Sequence, residues 1–161
     1  MGKVYLLQGK YDLAKEESDK AQRIGPKHLY PYWLGGIIDL DESGDIESAK
    51  REFHNMDQLI VVAGIFKGIA HYYHLYGKVL IAQGEIKEGL VALEKALKAC
   101  PRDESIFFRK ELAKNYLKAG LMDKTILGAS SLLSLNENDG ETLYILGLAY
   151  EKGGDLSLIH I

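Results

Sequence analysis

The sequence predicts an all-α fold: a right-handed superhelical solenoid of antiparallel helix pairs. Three observations carry this. A glycine returns at Gly9, Gly44, Gly84, Gly120 and Gly154, at intervals of 35, 40, 36 and 34 residues. An apolar segment with helical spacing precedes each glycine, and a second follows each of the first four. Only three prolines interrupt the chain, at positions 26, 31 and 101. Self-similarity at such a period marks stacked helical hairpins, each burying its apolar face against its neighbours.

The elements follow in order. Residues 1–27 form a partial unit that starts in mid-helix, with Tyr5, Gly9, Tyr11, Ala14, Ala21 and Pro26. Residues 28–66 carry Trp33, Gly36, Leu40, Gly44, Ile46, Ala49 and Phe53. The long interval after Gly44 adds about six residues near LIVVAGIFK, residues 59–67, whose apolar character predicts a buried helix extension. Residues 67–103 are the cleanest unit. Offsets of three and four put Tyr73, Tyr76, Gly77 and Leu80 on one face of a first helix. Gly84 closes that helix by taking a positive φ. Leu90, Leu93, Ala96 and Leu97 form the answering stripe, and Pro101 ends the pair because it lacks an N–H. Tyr73, Tyr76, Leu80, Leu93 and Leu112 are therefore expected between helices. Gly89, inside the second helix, costs ~1 kcal/mol against Ala and predicts a softer element. Residues 104–138 repeat the pattern with Leu112-Ala113, Tyr116, Gly120, Met122, Ala129 and Leu132. Residues 139–155 begin it again with Leu143, Leu146-Gly147, Tyr150 and Gly154.

The recurring large apolar residue, Leu-Gly, Tyr, Gly, Ala and Pro at fixed offsets resembles the tetratricopeptide repeat, a 34-residue helix-turn-helix unit. Five units in phase carry the resemblance over almost the whole chain. It implies a protein- or peptide-binding scaffold whose first helices line a concave groove. Carried onto this chain, that lining gives Leu34, Ile38, Asp41 and Glu42 from the second unit and His71, His74 and Lys78 from the third. It gives Phe107, Lys110, Lys114, Leu117 and Lys118 from the fourth, and Glu141, Tyr144 and Leu148 from the fifth. The pattern LAKNYLKAG followed by LYILGLAYEKGGD is similar to arrays that follow sensor or DNA-binding domains in bacterial regulatory proteins.

Both ends depart from the repeat. No residues precede Met1-Gly2, which sits where Leu-Gly belongs, so the chain is expected to be a fragment of a longer protein. Residues 156–161, LSLIHI, abandon the pattern and resemble the translation of a transposon-end sequencing adapter. They are expected to be a non-native tail.

Composition narrows the function classes. Hydrophobic residues make up 47% and charged residues 27%, which is globular and not disordered. A net charge of −3 argues against nucleic-acid binding, pentatricopeptide-like RNA recognition included, because phosphate neutralisation asks for excess Lys and Arg. The longest purely apolar run, residues 59–66, is too short to span a bilayer. A single cysteine, Cys100, excludes an internal disulfide and fits a reducing, cytoplasmic compartment.

Phosphate loops, dinucleotide fingerprints and nucleophile elbows are absent, so no enzyme and no cofactor are expected. His71 and His74 share a helix face, but zinc needs three or four ligands at defined spacing. The clustered tyrosines read as packing residues and not as an aromatic cage. What remains is the groove, whose lysines, Lys78, Lys110, Lys114 and Lys118, predict an acidic peptide partner inside a net-acidic chain. A stripe at i, i+4, i+8 is equally compatible with a solvated face. A second reading makes the solenoid a substrate-recruiting attachment to a catalytic domain elsewhere in the protein.

Overall fold

The computed structural model describes residues 1–153, so the expected turn at Gly154 and the tail at 156–161 lie outside the described residues. Helices alternate with short turns: α1 (Gly2–Leu7), α2 (Tyr11–Ile24), α3 (Leu29–Ile38), α4 (Ile46–Val61), α5 (Ile69–Ala82), α6 (Ile86–Ala99), α7 (Ser105–Lys118), α8 (Met122–Leu133) and α9 (Gly140–Gly153). Among the described residues there is no β-strand. The chain divides into two compact units, Met1–Cys100 and Pro101 onward.

In the first unit α1 pairs with α2, α3 with α4 and α5 with α6, and α3 also packs against α2 and α5. The core lies along α3 and α5, where Trp33, Leu34, Ile38 and Leu75 are almost wholly buried. Buried Ser18 of α2 donates its hydroxyl to the Pro31 carbonyl at 2.7 Å, tying the first pair to the second. Asp45 caps α4, accepting from the Ser48 N–H at 2.9 Å. In the second unit α8 packs between α7 and α9, around Ala113, Ala129 and Ile145. Thr125, which stands where the repeat prefers Ala, is buried and returns its hydroxyl to the Leu121 carbonyl at 3.0 Å.

The turn glycines behave as their spacing implies. Gly9, Gly44, Gly84 and Gly120 all have positive φ, between 66° and 90°. The second unit of the repeat holds an irregularity. Seven residues separate Gly2 from Gly9 and Gly77 from Gly84, but eight separate Gly36 from Gly44. The extra residue is absorbed in a π-helical turn, Asp39–Ser43, a common way for a helix to accept one insertion. Asp39, in that turn, is held by Lys15 of α2 at 2.9 Å.

Three expectations need correction. Gly89 is not a soft point: a Cβ there would lie 2.8 Å from the Gly77 carbonyl oxygen, and one at Gly77 would lie 2.7 Å from that of Gly89. The pair lets α5 and α6 touch backbone to backbone, so glycine is required by contact. The apolar segment 59–67 does prolong α4 to Val61, but its end is not buried: Val62 and Phe66 are 75% and 63% exposed. Finally, Tyr76 is 37% exposed and Tyr73 half-buried, whereas Leu80, Leu93 and Leu112 are buried as expected.

Candidate functional site

Each unit carries some of the residues expected to line a groove, and the two sets differ in kind. In the first unit, α5 carries His71, His74 and Lys78. The histidines do not line an open surface: they are 5% and 1% exposed. The physical reason is Trp33 of α3, a fully buried indole whose N–H must find an acceptor. Trp33 Nε1 donates to His74 Nδ1 at 3.0 Å, which places the proton of the neutral imidazole on Nε2. The His71 ring stands edge-on to Trp33 at 4.6 Å and to Tyr30 at 5.3 Å. Burial, with smaller contributions from Lys3 and His74, lowers the His71 pKa to about 3, so the ring is neutral at physiological pH. Lys78 spans to Asp41 in the π-helical turn at 2.9 Å, so it joins α5 to the end of α3.

Beside these, α5 and α6 flank an open cleft of about 300 Å³ lined by Tyr73, Tyr76, Leu80, Val91 and Lys95, among others. Lys95 Nζ lies 5.9 Å from the centre of the Tyr73 ring, within cation–π range. The tyrosines that spacing assigns to packing thus do so on one side only.

In the second unit the residues expected to line a groove stand on α7 and α9. Phe107 is half-buried, edge-on to Phe108 at 5.2 Å. Lys110 Nζ reaches Asp139 at 2.6 Å and Glu141 at 3.3 Å; Lys114 Nζ reaches Glu141 at 2.6 Å and Glu111 at 3.1 Å. Lys118 is exposed one turn further on, and Tyr144, one turn beyond Glu141, is 67% exposed. The structure therefore brings Lys110, Lys114, Glu111, Asp139 and Glu141 into one network.

The titration of these groups records the pairing. Burial pulls Lys114 down, but Glu111 and Glu141 outweigh it and raise its pKa. Burial pushes Glu141 up, and Lys114 and Lys110 outweigh it and lower the pKa. Asp139 is lowered by the hydrogen bond from Lys110 and then by that from Thr142. The carboxylates of this network were only partly legible. Glu141 and Asp41 fall on lining positions of their own units, but their pairing with lysines of the preceding or following unit requires the stacking geometry.

Among the described residues, no group of three His, Cys, Asp or Glu side chains is placed to hold a metal ion. No described helix is long and apolar enough to cross a membrane. Helices paired one after another along the chain define an all-α helical-repeat fold. Residues 70–103, which span α5 and α6, match the tetratricopeptide repeat family and form a tetratricopeptide repeat.

The fold is shared with solved structures. A crystal structure of the MamA protein is similar at 19% identity and a TM-score of 0.57, covering 96% of this chain and 80% of that one. A second MamA crystal structure gives 19% and 0.59, covering 96% and 85%. YrrB, described as a TPR protein with an unusual peptide-binding site, gives 15% and 0.58, covering 96% and 75%. No curated protein sequence matches the chain.

Proposed function

We propose that this chain is a non-catalytic, peptide-binding scaffold module of a larger regulatory protein, and that its ligand is an acidic peptide lying along α7. The observation that carries the reading is the ridge formed by Phe107, Lys110, Lys114 and Lys118, with Tyr144 beside it. Phe107 stands at one end, a lysine follows on each of three successive turns, and Tyr144 comes one turn after Glu141, the partner of Lys114. A peptide combining a carboxylate with an aromatic or aliphatic side chain would use both kinds of contact.

The lysines are not bare. Lys110 and Lys114 already face Glu111, Asp139 and Glu141, so an incoming carboxylate binds by exchange. Glu141 is the group to be displaced. Its side chain is 47% exposed and sits in the first turn of α9, where it can swing to solvent. Exchange of one carboxylate for another on the same lysine keeps the number of ion pairs unchanged, so it is nearly neutral in free energy. Affinity would then come from the apolar contacts, and charge would set selectivity and salt dependence.

The test is a titration of a fluorescent acidic peptide, monitored by anisotropy at two salt concentrations. Binding should weaken with salt. Lys110→Glu with Lys114→Glu should abolish it while the circular dichroism spectrum stays helical. Glu141→Gln should strengthen it several-fold by removing one of the two carboxylates that each lysine faces. Unchanged affinity in both variants would assign the ridge to solvated surface and overturn the reading.

A further inference from the structure

Two turns of the first unit come to the same end of it. Helices α3 and α5 pack side by side. A Cβ built at Gly68 would lie 3.5 Å from that of Leu29, and Tyr30 and Trp33 lie against His71. The segments that enter these helices, residues 25–28 and 62–68, are therefore neighbours. The second is an ordered turn and not a frayed helix end. The Gly64 N–H donates to the Ile60 carbonyl at 3.1 Å and the Ile65 N–H to the Leu59 carbonyl at 3.1 Å, the pair of bonds with which a left-handed glycine closes a helix. Ile65 is drawn half inside, yet the same turn holds Val61, Val62 and Phe66 outward, 72%, 75% and 63% exposed. Single apolar side chains on a surface are ordinary, whereas three on one short turn mark an interaction site.

The charge around this tip has one sign. Residues 20–38 and 58–84 contain no Asp or Glu, although the chain has 23 of them and a net charge of −3. Arg23 and Lys27, beside the first turn, and Lys67, in the second, are all exposed. Asp57, the acid that precedes the tip, faces back onto α5 and accepts from the Tyr72 hydroxyl at 3.1 Å.

We infer that this tip is a membrane-contact site: Val61, Val62 and Phe66 enter the interface of an anionic phospholipid bilayer while Arg23, Lys27 and Lys67 meet its phosphates. Peripheral attachment combines two signals, because a small apolar insertion or a small basic patch alone binds only marginally. Both signals stand together here. The charge also decides between occupants. In a symmetric pairing of two copies through their tips the same cations would be brought together, at a like-charge cost, whereas a layer of anionic headgroups neutralises them. The rest of the chain, acidic in balance, is repelled by such a layer, so the tip is the part that faces it. The site shares no residue with the α7 ridge and does not depend on the acidic-peptide reading.

The test is co-sedimentation of the full chain with vesicles of phosphatidylcholine alone, or of an equal mixture with phosphatidylserine. The chain should bind the mixed vesicles, far more weakly bind phosphatidylcholine alone, and release as salt is raised. Val62→Ser with Phe66→Ser should lower binding to the mixed vesicles at least about tenfold, and Lys27→Gln with Lys67→Gln by a similar factor. All four side chains are exposed, so the circular dichroism spectrum should be unchanged. Insertion has its own readout: in Phe66→Trp, emission should shift to the blue on mixed vesicles, while the parent, whose Trp33 is fully buried, should show no shift. No binding to mixed vesicles, equal binding to both compositions, or binding that the serine pair leaves unchanged would overturn the inference. So would a vesicle-free dimer in sedimentation that the serine pair abolishes, because the tip would then belong to a second copy. Acidic-peptide binding at α7 should be equal in the serine pair and the parent, which keeps the two surfaces distinguishable.

Discussion

His71 shows how far one side chain can commit a fold to a range of pH. Burial, with smaller contributions from Lys3 and His74, lowers its pKa from 6.5 to about 3. The unfolded chain accepts a proton near the ordinary value, whereas the folded chain refuses it until far lower pH. Stability that depends on the neutral ring is complete above the ordinary value and is lost as pH falls through this window, at about 1.4 kcal/mol per pH unit. Denaturant melts should therefore show stability dropping more steeply with acid in the parent than in His71→Gln, which has no proton to refuse. Equal slopes would mean that His71 is hydrated. Leu93 tests packing instead. It is 2% exposed in α6, so Leu93→Ala should cost about 2–5 kcal/mol. A loss below about half a kcal/mol would displace it from the core. The depth of Leu93 was legible from its apolar stripe. That of the histidines was not, because periodicity assigns a side chain to a face and does not show that the buried Trp33 indole packs against this one and takes His74 as its acceptor.

At the scale of the helix, the α5–α6 pair and α9 mark two extremes. The pair meets at Gly77 and Gly89, each facing the other's carbonyl oxygen. Gly77→Ala should lower the melting temperature, with an overpacking cost of about 1–3 kcal/mol or more, because backbone must yield. Helix propensity alone would predict a gain from this change, so the sign of the shift decides between the two effects. Among the described residues helix α9 packs on α8 and α7 and leaves Leu143 and Tyr144 exposed, so its amides should exchange much faster than those of residues 73–97. Equal protection would show that α9 is covered in solution. The helix pairs and their turns could be read from sequence because the glycine and apolar periods are local. The π-helical turn at Asp39–Ser43 was present as an eight-residue interval, but degenerate neighbours hid it. The exposed end of segment 59–67 was misread because composition reports how apolar a stretch is and not whether any surface is near enough to cover it.

The molecule as a whole is two compact units, and the first has a core of its own around Trp33, Leu34, Ile38 and Leu75. A fragment of residues 1–100 should accordingly fold, with a cooperative thermal transition and helical circular dichroism. A featureless melt would mean that the unit needs the rest of the chain. The fold class was visible at this scale because stacked repeats multiply one local signal. The surfaces that bind were less so. Lys78 and Lys110 read as unopposed positive charges in one dimension, and Asp41 and Asp139 reach them only once consecutive units are stacked.

The turn at Gly44 carries a consequence about chirality. Its torsions, φ 66° and ψ 20°, are those of a left-handed helix, and a Cβ built there meets nothing within 4 Å. What excludes an ordinary side chain is therefore handedness and not room: an L-residue pays a torsional penalty of about 1–2 kcal/mol in that region. A D-amino acid has the mirror preference. D-alanine introduced at this position by semisynthesis should find the turn already at its own minimum, and it would deprive the unfolded chain of glycine's freedom. The same hinge that rejects L-alanine would then be tightened by its enantiomer, with the difference between the two melting temperatures measuring the torsional preference directly.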